Sequence, residues 1–143
     1  MNDEILFSQE FLITGGDFPN AGTVATQIKS VLKEIGFDPG IVRRAAIACY
    51  EAEMNVVMYA DRAVVRLSAT PSTVRIQFDD QGRGIPDIQM AMQEGYSTAT
   101  PQMREMGFGA GMGLPNIKRN SDIFDITSQL GKGTKLDITI LTG

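Results

Sequence analysis

Three groups of residues in this chain have types and spacings suited to acting together in chemistry. Glu51 and Asn55 lie four apart in a stretch that reads as a helix, so their side chains sit one above the other on one face. Asn is a poor helix-interior residue, because its amide competes with the backbone. A carboxylate and an amide oxygen stacked this way can hold a hydrated Mg²⁺, or place a base beside one. An ordinary solvated helix face could carry the same two residues. Glu53 lies about 200° round the helix from Glu51 and is expected to face elsewhere.

The second group is Asp79-Asp80-Gln81-Gly82-Arg83-Gly84. Val74, Ile76 and Phe78 precede it at alternate positions, and the same period puts Asp80 on their apolar face. A carboxylate there is costly unless it meets donors. The exocyclic amine of adenine is a suitable donor, and Gly82 and Gly84 would let backbone approach the ring closely. The plainer alternative is a strand that stops at Asp79, with Asp80 opening a turn.

The third group is Gly107-Phe108-Gly109-Ala110-Gly111-Met112-Gly113-Leu114. Such a chain can turn its amides toward one anion, and the helix that follows adds its N-terminal N–H groups. That suits triphosphate oxygens, with Lys118 and Arg119 adding charge a turn later. A connector without a ligand is the bland alternative. Gly131-Lys132-Gly133-Thr134 is most simply a hairpin turn; its functional reading puts the Thr134 hydroxyl near the base.

These groups need elements to hold them. Ile5 to Ile13 alternates and reads as a strand. From about Asn20 to Ile35, Val24, Ile28, Val31, Leu32 and Ile35 form one helical stripe closed by Gly36. Asp38-Pro39 opens a second helix to about Tyr59, with Ile41, Ala45, Ala48, Ala52, Val56 and Tyr59 inward. Ala63–Thr70 and Thr73–Asp79 read as a hairpin around Pro71-Ser72. Pro86 starts a short helix ending near Gly95, and Tyr96 to Met112 reads as a mobile loop. A helix from Leu114 to about Asn120 precedes two strands, Ile123–Gln129 and Thr134–Leu141. The expected fold class is α+β: a two-layer sandwich in one domain, a mostly antiparallel sheet with helices on one face.

Composition excludes several functions. The 143 residues include no His, so no Ser-His-Asp or Cys-His nucleophile, no His-ligated zinc and no phospho-acceptor imidazole is available. Acid–base work at neutral pH falls to carboxylate, Lys or Tyr. One Cys allows no intrachain disulfide, which fits a reducing compartment. The acidic start, Met-Asn-Asp-Glu, is unlike a secretory leader, and no run of about 18 apolar residues exists. A cytoplasmic location without membrane contact is therefore expected. At 43% hydrophobic residues the chain can build a core. A net charge of −4 argues against direct binding of nucleic acid. Neither Gly-x-x-x-x-Gly-Lys-Ser/Thr nor Gly-x-Gly-x-x-Gly occurs.

Each signal is weak alone, but their order is specific. A helical Glu-x-x-x-Asn, Asp-x-Gly-x-Gly ending a strand, a Gly-rich segment running into a helix and Gly-Thr before the last strand resemble the GHKL (Bergerat-fold) ATPase superfamily. The similarity runs from the Asp38-Pro39 helix to the end and is clearest over residues 45–135. Short length and the lack of His point to its anti-sigma-factor serine kinases. Glu94-Gly95-Tyr96-Ser97-Thr98 and Gly113-Leu114-Pro115-Asn116-Ile117-Lys118-Arg119 look most like the stress-pathway switch kinase.

The resemblance implies ATP or ADP and Mg²⁺ as cofactors, with Asn55 as metal ligand and Glu51 as general base. It implies Asp80 on adenine, and Gly82 and Gly84 lining the base pocket. Gly109, Gly111 and Gly113 would supply amides to the phosphates, Lys118 charge, and Thr134 a contact near adenine. The implied partner is a STAS-domain protein phosphorylated on Ser or Thr, with a sigma factor as a further candidate and homodimerisation left open. Two departures stand out: Ala99–Met106 is longer than the corresponding lid, and Glu53 is an extra acid. The alternative reading is a non-catalytic, nucleotide-gated anti-sigma or scaffold-binding module. A plain ATPase ranks last.

Overall fold

The computed structural model describes residues 4–85, 87–93 and 113–143. Strands β1 (Phe7–Thr14), β2 (Ala60–Ala69), β3 (Thr73–Gly82), β4 (Ile123–Gln129) and β5 (Gly133–Leu141) form one sheet in the order β1-β2-β3-β5-β4. Every pairing is antiparallel. Helices α1 (Thr23–Ile35), α2 (Pro39–Tyr59), α3 (Ile88–Ala91) and α4 (Gly113–Arg119) complete the described elements, with a single 3-10 turn at Phe18–Asn20. The α+β two-layer class expected from the sequence is the observed one.

Period-two alternation decides which face of the sheet is covered. Val65, Leu67 and Ala69 on β2, Val74, Ile76 and Phe78 on β3, and Leu136, Ile138 and Ile140 on β5 are all buried. They meet Val24, Ile28 and Leu32 of α1 and the small side chains of α2 in one continuous core. Complete burial of each large side chain contributes roughly 1.5–3 kcal/mol. The opposite face is open and charged. There Arg75 grips Asp137 through two nitrogens, at 3.0 and 2.6 Å, and Arg66 lies between Glu10 and Asp79.

Local chemistry sets the element ends. Pro39 occupies the first turn of α2, and Asp38 before it is extended (ψ 143°), as the residue preceding a proline must be. Gly36 closes α1 in the left-handed conformation, with its N–H on the carbonyls of Leu32 and Lys33. Asp87 caps α3 by accepting the Met90 N–H at 3.0 Å.

Three expectations are corrected. The first strand runs Phe7–Thr14 rather than from Ile5, because pairing with β2 begins at Phe7 opposite Ala69. Helix α1 begins at Thr23, since Phe18–Asn20 makes its own turn first. The buried surface of α2 is broader than a single stripe. Ala45, Ala48, Ala52 and Val56 are buried as expected, whereas Ile41 and Tyr59 are only partly so, and Val42, Cys49, Glu53, Met54 and Val57 join them. The sheet covers one side of this helix while α1 and α4 pack on others. Pro86 and the 94–112 stretch, with its expected loop, lie outside the described residues.

Candidate functional site

The pair singled out on α2 is held as the spacing requires. Glu51 and Asn55 sit on consecutive turns, and the first residue of α4 abuts both. A Cβ on Gly113 would stand 3.2 Å from Asn55 Oδ1 and 3.5 Å from Glu51 Oε2. Backbone therefore lies against the pair, and glycine is what lets it come so close. Leu114 and Ile117 anchor α4 by their burial, while Lys118 and Arg119 are exposed.

Burial pushes the Glu51 carboxyl above its ordinary value, and a side-chain hydrogen bond with Asn116 opposes that rise. Such a group is a better proton acceptor than an exposed glutamate. Among the described residues no three His, Cys, Asp or Glu side chains converge on one point. An amide oxygen beside one carboxylate fits Mg²⁺, which keeps several waters and takes its other ligands from phosphate.

Asp80 lies where the alternation of β3 puts it, on the face of Phe78 and Ile76, and is half-buried. Its Oδ1 accepts the Thr134 backbone N–H at 2.9 Å. Among the described residues no other group donates a hydrogen bond to this carboxylate. Burial raises the Asp80 carboxyl; the Thr134 N–H lowers it, and the neighbouring Asp79 charge adds a smaller upward push.

The glycines named from the sequence are positioned by strand ends. Gly82 packs against Tyr59 and Ala60 at the α2–β2 junction, where a register shift lies between Ala60 and Arg62. Gly84 packs against Gln129 and Leu130 at the β4–β5 turn. Gly133 is the most constrained: its φ is +142°, and a Cβ would overlap the Asp80 carbonyl oxygen. The end of β3, the start of β5 and the end of α2 thus lie at one end of the sandwich. Thr134 is buried there, and its hydroxyl meets Ser128 Oγ at 2.9 Å. Gly109 and Gly111 lie outside the described residues.

Sequence reasoning missed three residues. Ser128 also takes the Ile85 N–H at 2.7 Å, so one hydroxyl ties the end of the β3 segment to β4 and β5. Its alternation with Phe124 and Ile126 was the available signal, since it puts a polar group on an apolar face. Asn116 lies in the Gly113–Arg119 motif with no signal of its own. Glu53, expected only to face elsewhere, is buried and accepts the N–H groups of Gly22, Val24 and Ala25 at 3.0, 3.3 and 2.9 Å. It caps α1 from another helix; the α1 N-cap is Gly22, which has no side chain to do so. Its spacing from Glu51 carried the direction but no target.

Cys49 is fully buried beside Glu53, and burial pushes its thiol far up, so it is a core residue rather than a nucleophile. Among the described residues no helix is long and apolar enough to cross a membrane.

Comparison with known proteins agrees with this geometry. Residues 41–142 match the family described as histidine kinase-, DNA gyrase B-, and HSP90-like ATPase. The serine/threonine-protein kinase RsbT of Bacillus subtilis is 33% identical over 112 residues, covering 76% of this chain and 78% of that protein. An anti-sigma F factor of Caldanaerobacter subterraneus subsp. tengcongensis is 27% identical over 123 residues, covering 83% of this chain and 78% of that factor. A crystal structure of the RsbU and RsbW domains of a Mycobacterium tuberculosis protein superposes with a TM-score of 0.59 at 20% identity. It covers 93% of this chain, which spans 32% of that one, and it speaks for the fold alone. This chain belongs to the GHKL family of histidine kinase-, gyrase B- and HSP90-like ATPases, in its group of serine/threonine kinases and anti-sigma factors.

Proposed function

We propose that this chain is an ATP-dependent serine/threonine protein kinase of the partner-switching type, acting on a hydroxyl of a STAS-domain protein. One observation carries the reading: Glu51 and Asn55 are stacked on α2 with the backbone of Gly113 against both. The pair therefore faces the point where the glycine segment ends, and that is where the phosphates would lie.

Phosphoryl transfer is mainly positioning and electrostatics, so a carboxylate base suffices and no imidazole is needed. Mg²⁺, when bound, would neutralise charge on the phosphates. Asn55 offers it an oxygen. Glu51 orients the acceptor hydroxyl and takes its proton. Asp80 accepts from the adenine amine through Oδ2 while Thr134 holds Oδ1. Gly82 and Gly84 line the base; Gly109, Gly111 and Gly113 offer amides, and Lys118 offers charge, to the phosphates.

The anti-sigma F factor relatives favour a second reading, a nucleotide-gated module that holds a sigma factor or scaffold and transfers nothing. Incubation with γ-labelled ATP, Mg²⁺ and purified STAS-domain protein separates the two. Label on the STAS protein supports the kinase. A stoichiometric complex without label supports the binding module.

A further inference from the structure

We propose that Ser128 is a positioning residue that sets the base specificity of the pocket. It takes the proton of the Thr134 hydroxyl, so that the edge facing the base offers lone pairs and accepts an exocyclic amine rather than a carbonyl. The proposal rests on the reading of Asp80 and Thr134 as contacts to the base, and deepens it.

Three neighbouring strands supply the parts. Ser128 of β4 stands opposite Thr134 of β5. Asp79 of β3 stands opposite Lys135, which brings Asp80 beside Thr134. Residues opposite each other in a sheet share a face. Here it is the covered face, that of Phe78 and Leu136. Asp80, Thr134 and Ser128 thus form one polar row across an apolar surface. The row lies at the end of the sandwich where Gly84 and Gly133 bring backbone close.

The hydrogen bonds of the row have a direction. A hydroxyl has one proton to give and two lone pairs to accept with. Ser128 Oγ lies 2.7 Å from the Ile85 backbone nitrogen, 3.3 Å from the Gly133 carbonyl oxygen and 2.9 Å from Thr134 Oγ1. The Ile85 N–H can only donate, so it fills one lone pair. The Gly133 carbonyl can only accept, so that contact uses the Ser128 proton. One lone pair is left on Ser128, and the Thr134 hydroxyl donates to it. Reversing that bond would leave the oxygens of Ser128 and Gly133 facing each other with no proton between them.

The Thr134 proton is therefore used inside the protein, and toward the base its hydroxyl offers lone pairs. Asp80 beside it offers a carboxylate, with Oδ1 already held by the Thr134 N–H at 2.9 Å. An exocyclic amine has two protons to give to such an edge. A carbonyl in its place has none, and an acceptor buried without a donor is penalised by more than one missing bond. Ser128 touches no ligand in this scheme and acts through Thr134.

The test compares ADP with inosine diphosphate, in which a carbonyl replaces the amine. Calorimetry gives both Kd values for the wild-type chain and for Ser128→Ala. In the variant the Thr134 hydroxyl is free to turn its proton toward the base. The ratio of the inosine diphosphate Kd to the ADP Kd is expected to fall about tenfold, the equivalent of one hydrogen bond. Ser128→Thr, which keeps the hydroxyl, is expected to retain the wild-type ratio. A merely structural role would weaken both nucleotides alike. An unchanged ratio in Ser128→Ala, beside a wild type that prefers ADP, overturns the proposal and leaves the adenine reading standing. Should Ser128→Ala not fold, Ser128→Cys replaces it, nearly equal in size and poor in hydrogen bonding, and is read in the same way.

A second measurement needs no nucleotide. The Thr134 hydroxyl proton, followed by proton NMR, is expected to exchange slowly with water in the wild type and fast in Ser128→Ala. Fast exchange in the wild type overturns the proposal. Equal wild-type affinity for ADP and inosine diphosphate overturns the adenine reading, and with it the specificity assigned to Ser128. A slow Thr134 proton that depends on Ser128 would then still establish the bond.

Discussion

Asp80 Oδ1 accepts the backbone N–H of Thr134 at 2.9 Å, which joins the last turn of β3 to the first residues of β5. The bond forms because Gly133 lets β5 begin directly against the Asp80 carbonyl. One carboxylate oxygen is thereby held by the fold, and in the proposed function the other accepts from adenine.

Asp80→Asn exploits that division. The new side chain keeps its oxygen on the Thr134 N–H, so its NH₂ takes the place of Oδ2 and faces the adenine amine with a second donor. ADP affinity is expected to fall at least about tenfold, as for a lost hydrogen bond to a charged group, with the far-ultraviolet circular dichroism unchanged. Calorimetry that finds equal ADP affinity would remove Asp80 from the adenine contact.

Glu51→Ala should lower phosphorylation of the partner by about 10²–10⁴-fold, the usual contribution of a positioned base, while nucleotide still binds. Unchanged transfer from a pure preparation would take Glu51 out of the base role.

Glu51→Gln should raise the melting temperature at pH 7. Burial raises the Glu51 carboxyl in the folded state, so its ionised form weakens the fold. The sign follows: the neutral carboxyl carries no such cost below the unfolded value, about 4.3, and the cost appears as pH rises through the raised folded value. The gap between variant and wild type should be widest at neutral pH and close on acidification. A gap independent of pH would contradict the half-buried placement of Glu51.

Glu53→Ala should destabilise the chain by at least about 2 kcal/mol, because it removes a cap and leaves buried N–H groups of Val24 and Ala25 without partners. The check is the urea midpoint at constant m. A midpoint equal to wild type would mean that α1 does not depend on this carboxylate.

Gly133→Ala and Gly113→Ala should separate fold from site. The first puts a methyl into the Asp80 carbonyl at positive φ and should abolish soluble expression or cooperative melting. The second crowds Asn55 and Glu51 by a few tenths of an ångström and should lower transfer far more than the melting temperature. Equal melting of Gly133→Ala and wild type would contradict the close approach at β5.

Much of this was legible in the residues themselves. Proline at 39, glycine at 36 and the alternation of β3 are local signals, and each fixed an element end or a face because backbone sterics act over one turn or two residues. The i,i+4 spacing of Glu51 and Asn55 and the parity of Asp80 with Phe78 follow from the helix and strand periods alone. The order of the motifs carried the family. Tertiary structure decided what local rules cannot reach. Glu53 found its partners 28 to 31 residues upstream, Thr134 its partner 54 upstream, and Asn116 was carried to Glu51 by the packing of α4 on α2. In each case the partners are far apart in the sequence, and only the closed fold determines which donor arrives.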